Sequence, residues 1–210
     1  MTRAPFTSAT PDPTWLLSPL ADFDPALRAQ SQGRQLAAGE LLFRQTQVPA
    51  FIYYVVSGEV AMARCDRAGR RLVLQRASQG FLAEASLCSP AYHCDAHACV
   101  DSRVLALPLP ALRQAIDQHA PTRWAWIRTL ASEIRRQRAQ SERLALKTVR
   151  ERVLHLLVTQ GEGGCLELPG SRKALAEQIG VSHEALYRCL ASLSLAGELQ
   201  DLGDRLCLPT

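Results

Sequence analysis

Several things this 210-residue sequence lacks narrow its class before any motif is sought. No apolar run approaches the roughly 18 residues that cross a bilayer, which excludes a helical membrane span. The N-terminus, MTRAPFTSATPDPTWLL, has one Arg and no continuous apolar stretch. It does not read as a secretory leader, so a cytoplasmic home and no membrane partner are expected. Cysteine is absent before Cys65, and the total of seven is odd and widely spaced. That pattern argues against a disulfide scaffold; in a reducing cytosol the useful roles are buried thiol, metal ligand or redox group. Strong charge of one sign is missing as well. The net charge is +4, too small to argue for a nucleic-acid partner by itself. Enzyme signatures are also lacking: there is no Gly-rich phosphate loop, no Ser-His-Asp arrangement at recognisable spacing and no metal-hydrolase helix motif, so no enzyme is expected.

What is present is a chain able to build a core, with 47% hydrophobic and 21% charged residues. Its charge is unevenly spread. Residues 121–160 carry nine Lys and Arg against three Asp and Glu, whereas residues 161–210 carry four against seven. A nucleic-acid partner for the C-terminal segment therefore has to be argued from pattern.

Texture divides the chain into four parts. Residues 1–34 read as an arm with a short helix around Pro25–Gln30. Residues 35–120 read as a small β-roll or sandwich. Its strands are Ile52–Val56, Glu59–Arg64, Arg71–Arg76 and Val100–Leu107, with a turn at Asp66-Arg67-Ala68-Gly69. Leu72 and Leu74 fall on one face, as in a hairpin. A short helix, Ala111–His119, follows. Residues 121–146 form a long helix with Pro121 in its first turn. Ile127, Leu130, Ile134, Gln137, Ser141 and Leu144 alternate in steps of three and four, a heptad seam that is polar in its middle. A parallel homodimer through this helix is expected; the alternative is a helix packed on its own domain. Residues 147–210 begin with an amphipathic helix, Val149–Thr159, with Val153, Leu154, Leu157 and Val158 apolar.

The strongest local pattern is GSRKALAEQIGVSHEALYRCLASLS, from Gly170. Ser171 caps a first helix through Ile179, Gly180 takes the turn, and Ser182 caps a second helix to Ser194. Leu186, Leu190 and Leu193 form the buried stripe of that helix. This is the pattern of a helix-turn-helix. The second helix would then present His183, Glu184, Tyr187 and Arg188 outward. Arg can donate two hydrogen bonds to guanine and Glu can accept one from cytosine, so the pair can read adjacent base pairs. The plainer alternative is a surface ion pair. Leu199–Asp201 and Arg205–Leu208 around Gly203-Asp204 look like a wing hairpin. Arg172, Lys173 and the helix N-terminal amides are the expected phosphate contacts.

From about Gln35 onward the chain resembles the CRP/FNR family of bacterial regulators. The residues that carry the likeness are Gly39-Glu40-Leu41-Leu42-Phe43, Tyr54–Val60, Gly80-Phe81-Leu82-Ala83-Glu84, Lys173–Gln178 and Gly180–Arg188. The resemblance implies an α+β chain: a cyclic-nucleotide-binding-domain-like β-roll, a dimerisation helix and a winged helix-turn-helix. It also implies a palindromic DNA operator and, for an activator, RNA polymerase as a partner. Glu184 and Arg188 match the family's half-site readers. His183 stands where Arg is frequent and Tyr187 where a small residue is common.

The same resemblance bears on the sensor. Glu84 matches the family's ribose-binding Glu, but the Arg–Ser pair that holds the phosphate falls on Cys94-Asp95. A carboxylate repels a phosphate, so cyclic AMP is not the expected effector. Members with an N-terminal iron–sulfur cluster need several Cys before the roll, and this chain has none. In place of the phosphate cassette stands Cys88-Ser-Pro-Ala-Tyr-His93-Cys94-Asp95-Ala-His97-Ala-Cys99. Extended backbone would put His93, Asp95, His97 and Cys99 on one face and Cys94 on the other. Cys88, His93, Cys94, His97 and Cys99 suit copper or zinc, or haem by likeness to a related carbon monoxide sensor. A thiol switch among the three Cys is an alternative, as is plain packing of buried Cys and solvated His. Regulation by a cyclic nucleotide after all, or a ligand-binding module that acts on a protein partner, are the competing functions.

Overall fold

A computed structural model describes residues 20–65, 67, 71–168 and 171–209. Most of the expected arm, three residues of the turn after Cys65 and Gly170 lie outside the described residues. The chain divides into two compact units, one ending at Leu130 and one running from Ala131.

The first unit opens with α1 (Pro25–Gln30), capped by Asp24, whose carboxylate accepts the Ala26 amide. Eight strands follow: β1 (Gln32–Leu36), β2 (Leu41–Phe43), β3 (Phe51–Ser57), β4 (Val60–Cys65), β5 (Arg71–Ala77), β6 (Gly80–Leu82), β7 (Asp95–Ala98) and β8 (Ser102–Pro108). A 3₁₀ helix, Glu84–Cys88, separates β6 from β7. The strands form two four-stranded sheets, ordered β1-β8-β3-β6 and β2-β7-β4-β5. Alternation explains the layering. Tyr53 and Val55 of β3, with Val104 and Ala106 of β8, point into the core shared with the second sheet. Their neighbours Ile52, Leu105 and Leu107 point the other way, against Leu20, Phe23 and Leu27. Buried on both faces, these strands read as continuous apolar runs. The expected start of the roll at residue 35 cuts through β1; Leu20, Phe23 and Leu27 already belong to the core because the second face of that sheet needs a cover.

The cover is completed by α2 (Leu109–Gln118) and the start of α3 (Ala120–Ala145), through Leu112, Ala115, Ala125 and Trp126. Pro110 sits in the first turn of α2, so that helix starts earlier than Ala111. The heptad reading of α3 needs one change. Leu130 packs on the core of the first unit, whereas Trp124, Ile127, Ile134 and Leu144 are exposed at 61%, 44%, 51% and 46%. Gln137 and Ser141 are exposed between them.

The second unit contains α4 (Val149–Gln160), β9 (Cys165–Glu167), α5 (Arg172–Ile179), α6 (His183–Leu195), β10 (Gln200–Asp201) and β11 (Arg205–Cys207). Thr148 and Glu151 make a reciprocal capping box at the start of α4. Its core joins Val153, Leu156 and Leu157 to Leu175, Ile179, Leu186, Leu190, Leu193, Leu199 and Leu206. Val158, expected on the apolar face of α4, is 70% exposed; Leu156 takes the inward position instead. The three short strands form one antiparallel sheet in the order β10-β11-β9.

Candidate functional site

The pair α5–α6 is built by three small residues at the expected places. Ser171 Oγ accepts the Ala174 amide and Ser182 Oγ the Ala185 amide, each satisfying an orphan donor of a helix start. Gly180 turns the chain at φ +68°. The left-handed dihedral is what calls for glycine; a Cβ there would lie 3.0 Å from Leu144 Cδ2, the mobile end of a half-exposed side chain that can shift aside. Because Leu186, Leu190 and Leu193 are buried, the helical period leaves His183, Glu184, Tyr187 and Arg188 exposed along one side of α6. The His183 and Tyr187 rings meet edge to face, 4.5 Å between centroids. Glu184 is held below its ordinary carboxylate value by its own backbone amide and by the Ser182 hydroxyl, with His183 and Arg188 adding to the effect. It therefore presents a charged acceptor beside a charged donor.

The hairpin β10–β11 follows α6, with β9 as a third strand that the sequence reading missed. Arg172 has a different task from the one expected of it. Its Nη2 donates to Asp201 Oδ1 and to the Gly203 carbonyl, and its side chain is only 16% exposed. Burial pushes the Asp201 carboxyl up, but the bonds from Arg172 and the Gly203 amide and the Arg172 charge outweigh it and leave the pKa lowered. Arg172 thus fastens α5 to the hairpin, and Lys173 remains exposed. Ion pairs between residues so distant in sequence leave no local pattern.

Arg152 is a second residue that pattern reading missed. Its Nε donates to the Leu146 carbonyl at 3.0 Å, Nη1 to the Ile179 and Gly180 carbonyls at 3.1 Å, and Nη2 to the Leu144 carbonyl at 3.2 Å. One guanidinium thereby ties the last turn of α3, the α3–α4 connection and the α5–α6 turn.

In the roll, the alternation expected over residues 93–99 is observed. Cys94, Ala96 and Ala98 are buried, and His93, Asp95, His97 and Cys99 lie on the other side, His93 exposed and the other three partly buried. The residues do not converge into one ligand set: among the described residues, no three or more His, Cys, Asp and Glu side chains are grouped to hold a metal. Burial pushes the Cys94 thiol up to about 11, and the opposing pulls of Arg64 and Asp95 leave it there. Cys94 is a core thiol facing away from His93 and His97. Cys88 is exposed at the end of the 3₁₀ helix. Cys99 Sγ accepts a hydrogen bond from Arg76 Nη1 at 3.3 Å, and the same nitrogen binds Glu59 Oε1 at 2.7 Å. Glu84 is buried, just after Ala83 at φ +66°.

The cysteines that the fold does join are elsewhere. Cys165 and Cys207 stand opposite each other in β9 and β11 and form a disulfide. The expectation of no disulfide scaffold placed every cysteine among free thiols or ligands, and this pair is the exception. It was missed because strand β9 itself was missed.

Residues 33–119 match the family model described as cyclic nucleotide-binding domain. No curated protein matches the sequence significantly. Among solved structures, FixK2 from Bradyrhizobium japonicum is similar with a TM-score of 0.72 at 22% identity, covering 86% of this chain and 93% of its own. The c-di-GMP-responsive global regulator CLP of Xanthomonas campestris gives 0.62 at 25% identity, with coverage of 87% and 95%. A CRP/FNR-family transcriptional regulator from Thermus thermophilus gives 0.59 at 21%, with coverage of 85% and 94%. The chain has the CRP/FNR fold.

A CRP/FNR fold with a cyclic-nucleotide-binding domain implies a cyclic phosphate ligand, and the residues present do not fit one. Asp95 puts a carboxylate where the resemblance expects a phosphate-binding Ser, and its Oδ1 is engaged by the Gln45 amide at 2.6 Å. Cys94 at the neighbouring position brings no cation and is turned into the core. Glu84 is buried and, as a carboxylate, supplies no cation for a phosphate. No described helix of this CRP/FNR-like chain is long and apolar enough to cross a membrane.

Proposed function

We propose that the chain is a DNA-binding transcription regulator that acts in the cytoplasm and reads a palindromic site with α6. The helical pair and hairpin of the second unit serve as a winged helix-turn-helix. The observation that carries this reading is the outer side of α6. It gathers Glu184, Arg188, His183 and Tyr187, all exposed, on a helix whose opposite side is locked by three leucines. A carboxylate kept ionised and a guanidinium one turn away form a donor–acceptor pair suited to base edges in a major groove. Lys173 supplies a phosphate contact. Two copies associate through the exposed apolar residues of α3, so that two reading helices meet two half-sites.

The roll acts as the control element. Its effector is other than cyclic AMP, because the phosphate position carries Asp95. The outer row His93, Asp95, His97 and Cys99 is the place for its signal to act, without the five-residue metal ligand set expected from sequence.

The test is binding of the purified chain to palindromic duplexes selected from a randomised pool, measured over a range of salt. Binding should weaken steeply with salt and fall about 5- to 150-fold on Arg188→Ala, in a protein that stays folded. Salt-independent binding, or full binding by Arg188→Ala, would point instead to a module acting on a protein partner.

A further inference from the structure

The wing of the second unit holds itself together with very little backbone. β10 pairs with β11 through two residue pairs, and β11 with β9 through three: Arg205 with Glu167, Leu206 with Leu166, and Cys207 with Cys165. In so short a ladder the Cys165–Cys207 bond is a principal tie between β9 and β11. The bond also encloses a 42-residue separation that contains α5, the Gly180 turn, α6 and β10. Among the described residues, nothing else in the second unit closes the reading helix into a covalent ring. The sheet is coupled to α5 in turn, because Asp201 of β10 holds Arg172 at the first position of that helix.

We propose that Cys165 and Cys207 are a reversible thiol–disulfide switch that sets the DNA affinity of the wing and α6. This rests on the DNA-binding reading above. Cys165 is partly exposed and Cys207 is buried at 6%, so a small thiol reaches the Cys165 sulfur first. Reduction runs in two displacements. A low-molecular-weight thiolate attacks Cys165 Sγ, a mixed disulfide forms there, and Cys207 leaves as a thiolate that takes up a proton. A second thiolate attacks the small molecule's sulfur in the mixed disulfide and releases Cys165 as a thiolate, which is protonated in turn. Two small thiols become one small disulfide, and the protein gains two electrons and two protons. Oxidation by a low-molecular-weight disulfide is the reverse. The oxidised state, with β9 pinned to β11, is the form that holds the hairpin beside α6 and binds DNA. The reduced state leaves the hairpin held by its short backbone ladder, the Arg172–Asp201 pair and the packing of Leu206, and binds more weakly.

The full-length protein is equilibrated in glutathione buffers from fully reduced to fully oxidised. The Cys165–Cys207 bond is quantified by alkylation and mass spectrometry. Binding to the selected palindromic duplex and amide exchange of β9 and β11 are followed in parallel. The bond should titrate reversibly, with duplex affinity falling about tenfold or more and the β9 and β11 amides losing protection in step with reduction. A Cys165→Ser/Cys207→Ser protein should behave as the reduced form at every ratio, and Cys65→Ser, at an exposed free thiol in the other unit, should keep the response. A bond that glutathione does not reduce in the native protein, or equal affinity and equal exchange in both states, overturns the switch. If the bond and the exchange titrate but no duplex binds in either state, the switch in the wing stands and the DNA-binding reading falls.

Discussion

Arg188 and Glu184 occupy the same side of α6 one turn apart, yet they should answer differently to substitution. A bidentate Arg–guanine contact is worth about 1–3 kcal/mol, so Arg188→Ala should cost about 5- to 150-fold in affinity and relax the preference at one base position. Lys173→Ala should instead weaken all duplexes alike and lower the salt slope by about one, as a phosphate contact does. Competition assays across mutated half-sites, read at several salt concentrations, separate the two. Glu184 sets a pH expectation. Its carboxyl lies below the ordinary value, so the acceptor stays charged through the normal carboxylate range. Its contribution to base choice should be complete above that range and fade only as pH falls through the lowered value. Arg143 is a different case. It is fully buried in α3, and none of its guanidinium nitrogens has a hydrogen-bond partner among the described residues. Burial lowers its pKa, and an uncompensated buried charge destabilises. Arg143→Met should therefore raise the thermal midpoint; a clear fall would contradict this. The four outward residues of α6 were legible in sequence because three leucines at helical spacing dictate which way the others face. Arg152, Asp201 and the Cys165–Cys207 pair were not. Each has a partner far along the chain, 27, 29 and 42 residues away, and no local period connects them.

At the scale of elements, α3 shows how far a periodic reading carries. Its length, its start within one residue of the expected Pro121 and its interrupted apolar seam follow from sequence, but which of two stripes is left open depends on what else the helix covers. Leu130 closes the second face of the β1-β8-β3-β6 sheet, and this leaves Trp124, Ile127 and Ile134 facing outward. A charge at Ile134 should then disrupt self-association without disturbing either core. Ile134→Glu is expected to sediment as a monomer, to keep its circular dichroism and to bind a palindrome no better than a single half-site. Short elements were the hardest to anticipate. β6, β7 and β9 have three, four and three residues, and each is recruited by neighbours already in place rather than by its own propensity. The row of His and Cys in β7 shows the same limit. Alternation correctly divided it into two faces, whereas convergence on a metal needs side chains from other strands, and the strands on either side bring Leu41 and Ala61 opposite His97.

At the scale of the whole molecule, the division at Leu130 and Ala131 falls inside a continuous helix rather than in a linker, so no composition change marks it. Stability should be divided as well. Closing a loop of this length restricts the unfolded chain by about 4 kcal/mol in the loop-entropy account. Reduction should therefore lower the midpoint of the second unit while leaving that of the roll in place, which two-transition calorimetry with and without reductant would show. The ring formed by the Cys165–Cys207 bond has a further consequence, topological rather than energetic. Lys173 and Arg188 are exposed and both lie within it. A protease specific for basic residues that cuts once at either place divides the backbone but not the oxidised molecule, whose two pieces stay threaded together through sulfur. The same cut in the reduced molecule sets the C-terminal piece free. A gel run without reductant would then record, as one band or two, the redox state the protein held at the moment it was nicked.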